Sequence, residues 1–88
     1  MQKKKLIIIN KLGLHARASA KFVATASRFG SKIDIVKEDK IVNGKSIMGV
    51  MMLGANKGTE IEIIIEGDDE QNAMAAIEEL INDRFGEE

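Results

Sequence analysis

The chain has 88 residues, 44% of them hydrophobic and 31% charged, with three aromatics that are all Phe. That length fits a single domain with one modest core, and the composition excludes disorder and collagen-like repeats. Net charge is −1, and the absence of Cys excludes a disulfide framework, a thiolate zinc site and an iron–sulfur cluster, and suits a reducing compartment. Met1-Gln2-Lys3-Lys4-Lys5 resembles the basic start of a signal sequence, yet the apolar run after it, Leu6-Ile7-Ile8-Ile9, is too short for export or for a membrane span. The expectation is a soluble, cytoplasmic, monomeric protein with one domain over residues 1–88.

The near-zero net charge hides an asymmetry. Residues 1–45 hold 11 Lys or Arg and three acids, whereas residues 46–88 hold two bases and 11 acids. A basic half could attract a phosphate, a polyanion or an acidic partner; alternatively the halves interleave in space and cancel. Nucleic-acid binding is disfavoured, because there is no Tyr or Trp for base stacking.

In chain order, Lys5–Ile9 reads as a buried strand and Asn10-Lys11-Leu12-Gly13 as the loop leaving it. An Ala-rich helix follows from about Ala16 to Arg28. Ser19, Phe22, Val23, Ala26 and Phe29 share one arc of it, Lys21, Thr25 and Arg28 lie opposite, and Gly30 is expected to close it. Lys32–Val36 alternates as a half-buried strand, Glu38-Asp39-Lys40 turns, and Ile41-Val42 begins the return. A short helix from Ile47 to Leu53, closed by Gly54, precedes a loop over Ala55–Thr59 and a last strand, Glu60–Glu66. The final helix starts near Asp68 or Asp69, with apolar positions at Ala73, Met74, Ile77, Leu80, Ile81 and Phe85. The order β-α-β-β-α-β-α predicts an α+β open-faced sandwich: a four-stranded antiparallel sheet covered on one face by three helices.

His15, the only His, lies in Gly13-Leu14-His15-Ala16-Arg17, between a strand's exit loop and a helix start. There the first unpaired amides, from Ala16 onward, point towards whatever the imidazole carries, and Arg17 adds a fixed charge with several donors. Imidazole, helix N-terminus and guanidinium together suit a transient phosphohistidine. One His without neighbouring Asp, Glu or Cys supplies too few ligands for a metal. A Ser–His hydrolase also fits poorly, since Ser19 faces the core and no orienting acid is evident.

Gly13-Leu14-His15-Ala16-Arg17-Ala18-Ser19, followed some thirty residues later by Asn43-Gly44-Lys45-Ser46, resembles HPr, the histidine-containing phosphocarrier family of the bacterial phosphoenolpyruvate-dependent phosphotransferase system. The resemblance spans essentially the whole chain. It implies that His15 accepts a phosphoryl group through Nδ1 from phosphorylated enzyme I and passes it to a histidine of an enzyme IIA domain. Arg17 would match the family's active-site arginine, and no cofactor is implied. Where the family commonly has Pro after that arginine, this chain has Ala18, which permits the helix with less pre-organisation. Carriers of sugar transport and of a nitrogen-related branch are both compatible with these motifs. A purely regulatory HPr-like module is disfavoured by His15, and a ferredoxin-like ligand- or RNA-binding domain by strands without aromatics.

Ser46 reads on its own as an N-cap of the next helix. The resemblance matches it to the serine that HPr kinase/phosphorylase modifies from ATP, which would place a dianion beside a docking surface. That helix is apolar nearly all round. Val50 and Leu53 can face the core, but Ile47, Met48, Met51 and Met52 cannot all do so, and core packing is the alternative for two of them. Methionine's flexible thioether suits a patch that meets several partners in turn. In the HPr family this region contributes to docking, so Met48 and Met51 are the expected contacts within the Ile47, Met48, Met51, Met52 patch.

Overall fold

Apolar residues spaced two apart decide the sheet. In the computed structural model, which describes residues 1–87, the elements are β1 (Gln2–Ile7), α1 (Ala16–Ala26), β2 (Lys32–Lys37), β3 (Lys40–Asn43), α2 (Ile47–Met52), β4 (Glu60–Glu66) and α3 (Glu70–Asn82), followed by a terminal turn at Arg84–Gly86. The strands form one antiparallel sheet in the order β1-β4-β2-β3. Ile33 and Ile35 of β2 and Ile61, Ile63 and Ile65 of β4 point to one face and are fully buried. Beneath the helices they meet Phe22 and Ala26 of α1, Val50 of α2, and Ala73, Met74, Ile77 and Ile81 of α3. The intervening residues Asp34, Val36, Glu62 and Ile64 are half-buried on the open face. The predicted architecture and element order hold.

The first strand differs from expectation. It runs from Gln2 to Ile7 instead of Lys5 to Ile9, and it is not buried throughout. A strand alternates faces, so an edge strand covered on one side can bury only every second residue. Leu6 takes the inward position, Ile7 is exposed, and Lys4 reaches over the edge to Glu78 of α3, with Nζ 2.7 Å from Oε1. Ile8, fully buried, lies beyond the strand, where its N–H donates to Thr59 O at 2.9 Å and its carbonyl accepts from Gly58 N at 2.7 Å.

Three helix boundaries also shift. α1 ends at Ala26, not Arg28, with Ser27 as its C-cap; Gly30 has no left-handed φ and is not the closing residue. Its N–H instead donates to Asp69 Oδ2 at 3.0 Å. α2 stops at Met52, with Leu53 as C-cap and Gly54 left-handed at φ +68 behind it. Phe85 belongs to no continuation of α3. It lies in the terminal turn, buried, with Arg84 and Phe85 both left-handed at φ +56 and +55.

The sheet order interleaves the two charge halves. Acidic β4 lies between β1 and β2, so that Lys5 pairs with Glu62 and Lys32 with Glu66. Opposite charges facing across strands are favourable, so part of the asymmetry of the sequence is offset within the sheet.

Asp69 occupies the N-cap position of α3 but makes no side-chain cap hydrogen bond to its own helix. Its carboxylate instead accepts from Ser31 Oγ, from Gly30 N, and from Ser31 N at 3.1 Å, tying α3 to the α1–β2 connection. The Ser31 hydroxyl, followed by the Gly30 amide, holds the Asp69 carboxyl below its ordinary value of 3.8. A carboxyl depressed on folding contributes stability above its unfolded value that is lost as pH falls through the lower folded one. Thermal unfolding followed by circular dichroism should therefore show Asp69→Asn less stable than the parent at pH 7. The difference should shrink progressively below about pH 4.

Candidate functional site

The loop from Asn10 to Leu14 sets the position of His15. Asn10 is fully buried, and its side-chain amide donates to Gly13 O at 2.8 Å, closing the loop on itself. Gly13 is left-handed at φ +69 and lies so close to the next segment that a Cβ would sit 2.6 Å from Ala55 O and 2.8 Å from Asn56 Cα. Only glycine fits both the dihedral and the gap. Leu14 N then donates to Ala55 O at 2.9 Å, and the buried Leu14 side chain anchors the residue before the histidine.

His15 is the N-cap of α1. Its backbone is extended at φ −77, ψ −177, its carbonyl accepts from Ser19 N at 2.8 Å, and its own Nδ1 accepts from Arg17 N at 3.3 Å. N-caps are usually hydroxyl or carboxamide side chains; here a ring nitrogen takes that role. With Nδ1 accepting, the proton of the neutral ring sits on Nε2. The amides of Ala16 and Ala18 find no protein acceptor among the described residues. Arg17 is exposed and forms no ion pair with a described residue. His15, Ala16 and Arg17 thus lie at the opening of α1, with the His15 ring partly accessible (27% of its side-chain surface). Ser19 is buried, as expected, and its hydroxyl donates to Leu14 O at 3.2 Å, out of reach of any role as a nucleophile.

Ser46 caps α2 as its local sequence predicts, its Oγ accepting from Gly49 N at 3.1 Å. Val50 and Leu53 are fully buried. Met48 and Met52 are 68% and 70% exposed, and Ile47 and Met51 are exposed as well. The alternative that core packing claims two of these four therefore fails: Val50 is the one buried residue of the six-residue helix, and Leu53, its C-cap, completes the inward face. α2 packs beside α1, which places both N-caps on neighbouring helices.

A family model described as the PTS HPr component phosphorylation site matches residues 2–83. The phosphocarrier protein HPr of Neisseria meningitidis serogroup A is 60% identical over 87 residues, covering 99% of this chain and 98% of that protein. A crystal structure of HPr from Thermoanaerobacter tengcongensis superposes with a TM-score of 0.97 at 50% identity, covering 100% of this chain and 99% of the other. A second crystal structure from that organism, an HPr dimer, gives 0.80 at 49%, covering 99% and 100%. The chain belongs to the HPr family of phosphotransferase-system phosphocarriers. Members of this family carry a phosphoryl group between proteins and are not catalysts in their own right.

For an HPr, one feature of this site was not read from the sequence. An acid stands beside the ring: Glu87 Oε2 lies 2.8 Å from His15 Nε2, across 72 residues of chain. Its other oxygen, Oε1, accepts from Asn10 Nδ2 at 3.2 Å. The Glu87 carboxyl is held below its ordinary value of 4.5. Partial burial, the largest single influence, pushes it up; hydrogen bonds from Asn10 and His15, with the charges of His15 and Lys21, together outweigh that. Glu87 is delivered by the terminal turn, where the buried Phe85 and the bond from Lys21 Nζ to Phe85 O at 2.6 Å hold the segment against α1. Leu12, in the loop next to His15, is a further exposed apolar side chain that the sequence reading passed over. Among the described residues, no helix is long and apolar enough to cross a membrane.

Proposed function

We propose that this chain acts in the cytoplasm, as a single copy, accepting a phosphoryl group on His15 from phosphorylated enzyme I and passing it to a histidine of an enzyme IIA domain for sugar uptake. The observation that carries this reading is the geometry of Nδ1: partly accessible, unprotonated and already directed at the amides that open α1. In the transfer, the bond from phosphorus to the donor atom of enzyme I breaks and leaves its electron pair there, while the Nδ1 lone pair forms the new N–P bond. Arg17 N–H, now hydrogen-bonded to that lone pair, is released to donate to a phosphoryl oxygen. The Ala16 amide adds a second donor and the Arg17 guanidinium a charge-assisted one. The same contacts hold the group without burying it, which suits onward transfer.

Incubation with labelled phosphoenolpyruvate and enzyme I should place acid-labile label on the parent protein and none on His15→Ala. An unlabelled parent overturns the proposal.

The exposed side chains Ile47, Met48, Met51 and Met52 form the docking surface in this reading, with Met48 and Met51 as principal contacts. Because these side chains are solvent-exposed, Met48→Asp and Met51→Asp should leave thermal stability almost unchanged. Each should raise the KM for transfer from enzyme I by about tenfold.

Ser46 is the regulatory position, modified from ATP by HPr kinase/phosphorylase. A phosphate there is compatible with its own helix N-terminus but puts a dianion next to the docking surface. Ser46→Asp should accordingly be phosphorylated on His15 more slowly than the parent by enzyme I, and equal rates would remove this regulatory role.

A further inference from the structure

His15 uses both ring nitrogens, and the two have different partners. Nδ1 faces the Arg17 amide, while Nε2 faces Glu87 Oε2 at 2.8 Å. Glu87 is itself fixed at its second oxygen by Asn10 Nδ2, and the same Asn10 amide closes the loop that carries His15. Asn10 is fully buried and Glu87 keeps only 15% of its side-chain surface exposed, so the three groups form a chain of defined polarity that runs from the interior to the ring. Read by donor and acceptor, each link has one solution. The two amide hydrogens of Asn10 go to Gly13 O and Glu87 Oε1, and Glu87 can only accept, so Nε2 must donate.

We infer that Glu87 is a positioning residue for phosphoryl transfer: it accepts the Nε2–H of His15, which keeps the Nδ1 lone pair open towards phosphorus, and it offsets the positive charge the ring acquires as the N–P bond forms. This deepens the phosphocarrier reading and rests on it. When Nδ1 gives its electron pair to phosphorus and the donor's bond breaks, the Nε2 proton stays in place and the ring becomes cationic. A carboxylate within hydrogen-bond distance then interacts more strongly with the product-like ring than with the neutral one, and that difference accelerates transfer. A hydrogen-bonded carboxylate behind an imidazole also fixes tautomer and ring plane, as in other sites where a histidine's second nitrogen decides what the first can do.

The charge cannot be replaced by shape alone. Glu87 serves two donors with two oxygens; glutamine offers a single oxygen to Asn10 Nδ2 and His15 Nε2. If that oxygen stays with Asn10, the glutamine amide faces Nε2 as a donor and demands the opposite tautomer, whose Nδ1–H would oppose the Arg17 amide. Glu87→Gln therefore tests the inference with little change in volume, and Glu87→Ala tests it without the competing amide.

Two measurements decide it. The first is ring ¹⁵N chemical shifts of His15 in the unphosphorylated protein, recorded at a pH where the ring is neutral. The parent should show well-separated nitrogens with the proton on Nε2, and Glu87→Gln should show the two shifts moving towards each other. The second is steady-state transfer from phospho-enzyme I: both variants should lose about tenfold in kcat while KM changes less than twofold. A role confined to holding the terminal turn would lower thermal stability and leave the ¹⁵N shifts as in the parent. Parent-like shifts, or parent-like kcat, in Glu87→Gln overturns the inference while the phosphocarrier reading stands. An unlabelled parent overturns that reading instead, and the ring shifts still report whether Glu87 sets the tautomer.

Discussion

A helix that opens on a ring nitrogen is the constraint around which the structure is arranged. An N-cap must sit in extended backbone, turn its side chain back, and offer a lone pair to an amide two or three residues on. When the cap is histidine, meeting those demands aims an imidazole nitrogen at the positive end of a helix. His15 satisfies them with an Nδ1–Arg17 amide distance of 3.3 Å, a long bond. A long bond is replaceable: the lone pair is oriented without being committed. The cap stabilises the helix while the nitrogen is unmodified, and in the proposed reading the amides it leaves become available to an anion on phosphorylation.

Such a cap functions only if the chain arrives at the right height and angle, and that is decided by elements far from the ring. β1 leaves the ladder after Ile7, and Ile8 pairs instead with the Gly58–Thr59 segment. This detour brings the Asn10–Gly13 loop against Ala55 and Asn56, where the left-handed Gly13 allows the backbones to touch. The core below is rigid because its isoleucines interdigitate at complete burial, so the loop rests on a surface that does not yield. Two left-handed residues, Arg84 and Phe85, cost on the order of 1–2 kcal/mol each in the terminal turn. Burying the Phe85 side chain contributes about 2–3 kcal/mol in the other direction, a term of comparable size, and the bond from Lys21 Nζ to Phe85 O adds to it.

What was legible from the sequence follows the range of the interactions. β4 was placed to the residue, because Glu60–Glu66 carries alternating isoleucines between a glycine loop and an acidic helix start. The helix starts behind His15 and Ser46 are legible because helix opening is a local event within three residues, but that the His15 ring itself supplies the cap is not. The first strand was misplaced because Leu6-Ile7-Ile8-Ile9 has no alternation of its own; its register comes from β4, more than fifty residues on. Gly30 was misread because a glycine near a helix end carries the same signal whether it takes a left-handed φ or gives its amide to Asp69. Glu87 was invisible for the same reason: nothing near residue 15 encodes a partner 72 positions away, and the only clue, an apolar Phe85 past the end of α3, reads equally well as one more turn of helix.

The His15 ring is partly open to solvent, which suits the proposed phosphocarrier reading. A shallow concavity of about 480 Å³ lies elsewhere, lined by Thr25, Arg28, Ala76, Glu79, Leu80 and Asp83, without His15. An enzyme encloses a small substrate to exclude water, but a group passed from one protein to another must be reachable by two different macromolecular surfaces in turn. The shielding is then supplied by whichever partner is docked. Under that requirement the chain itself has to provide only a nitrogen of fixed orientation, donors that tolerate the group, and adaptable apolar side chains close by. In the proposed phosphocarrier reading, those tasks fall to His15, the first amides of α1 and the methionines of α2, the last of which are exposed apolar side chains. In the role inferred for it, the acid behind the ring gains from shielding, because water would weaken its hold on Nε2, and its side chain is less exposed than the ring, 15% against 27%.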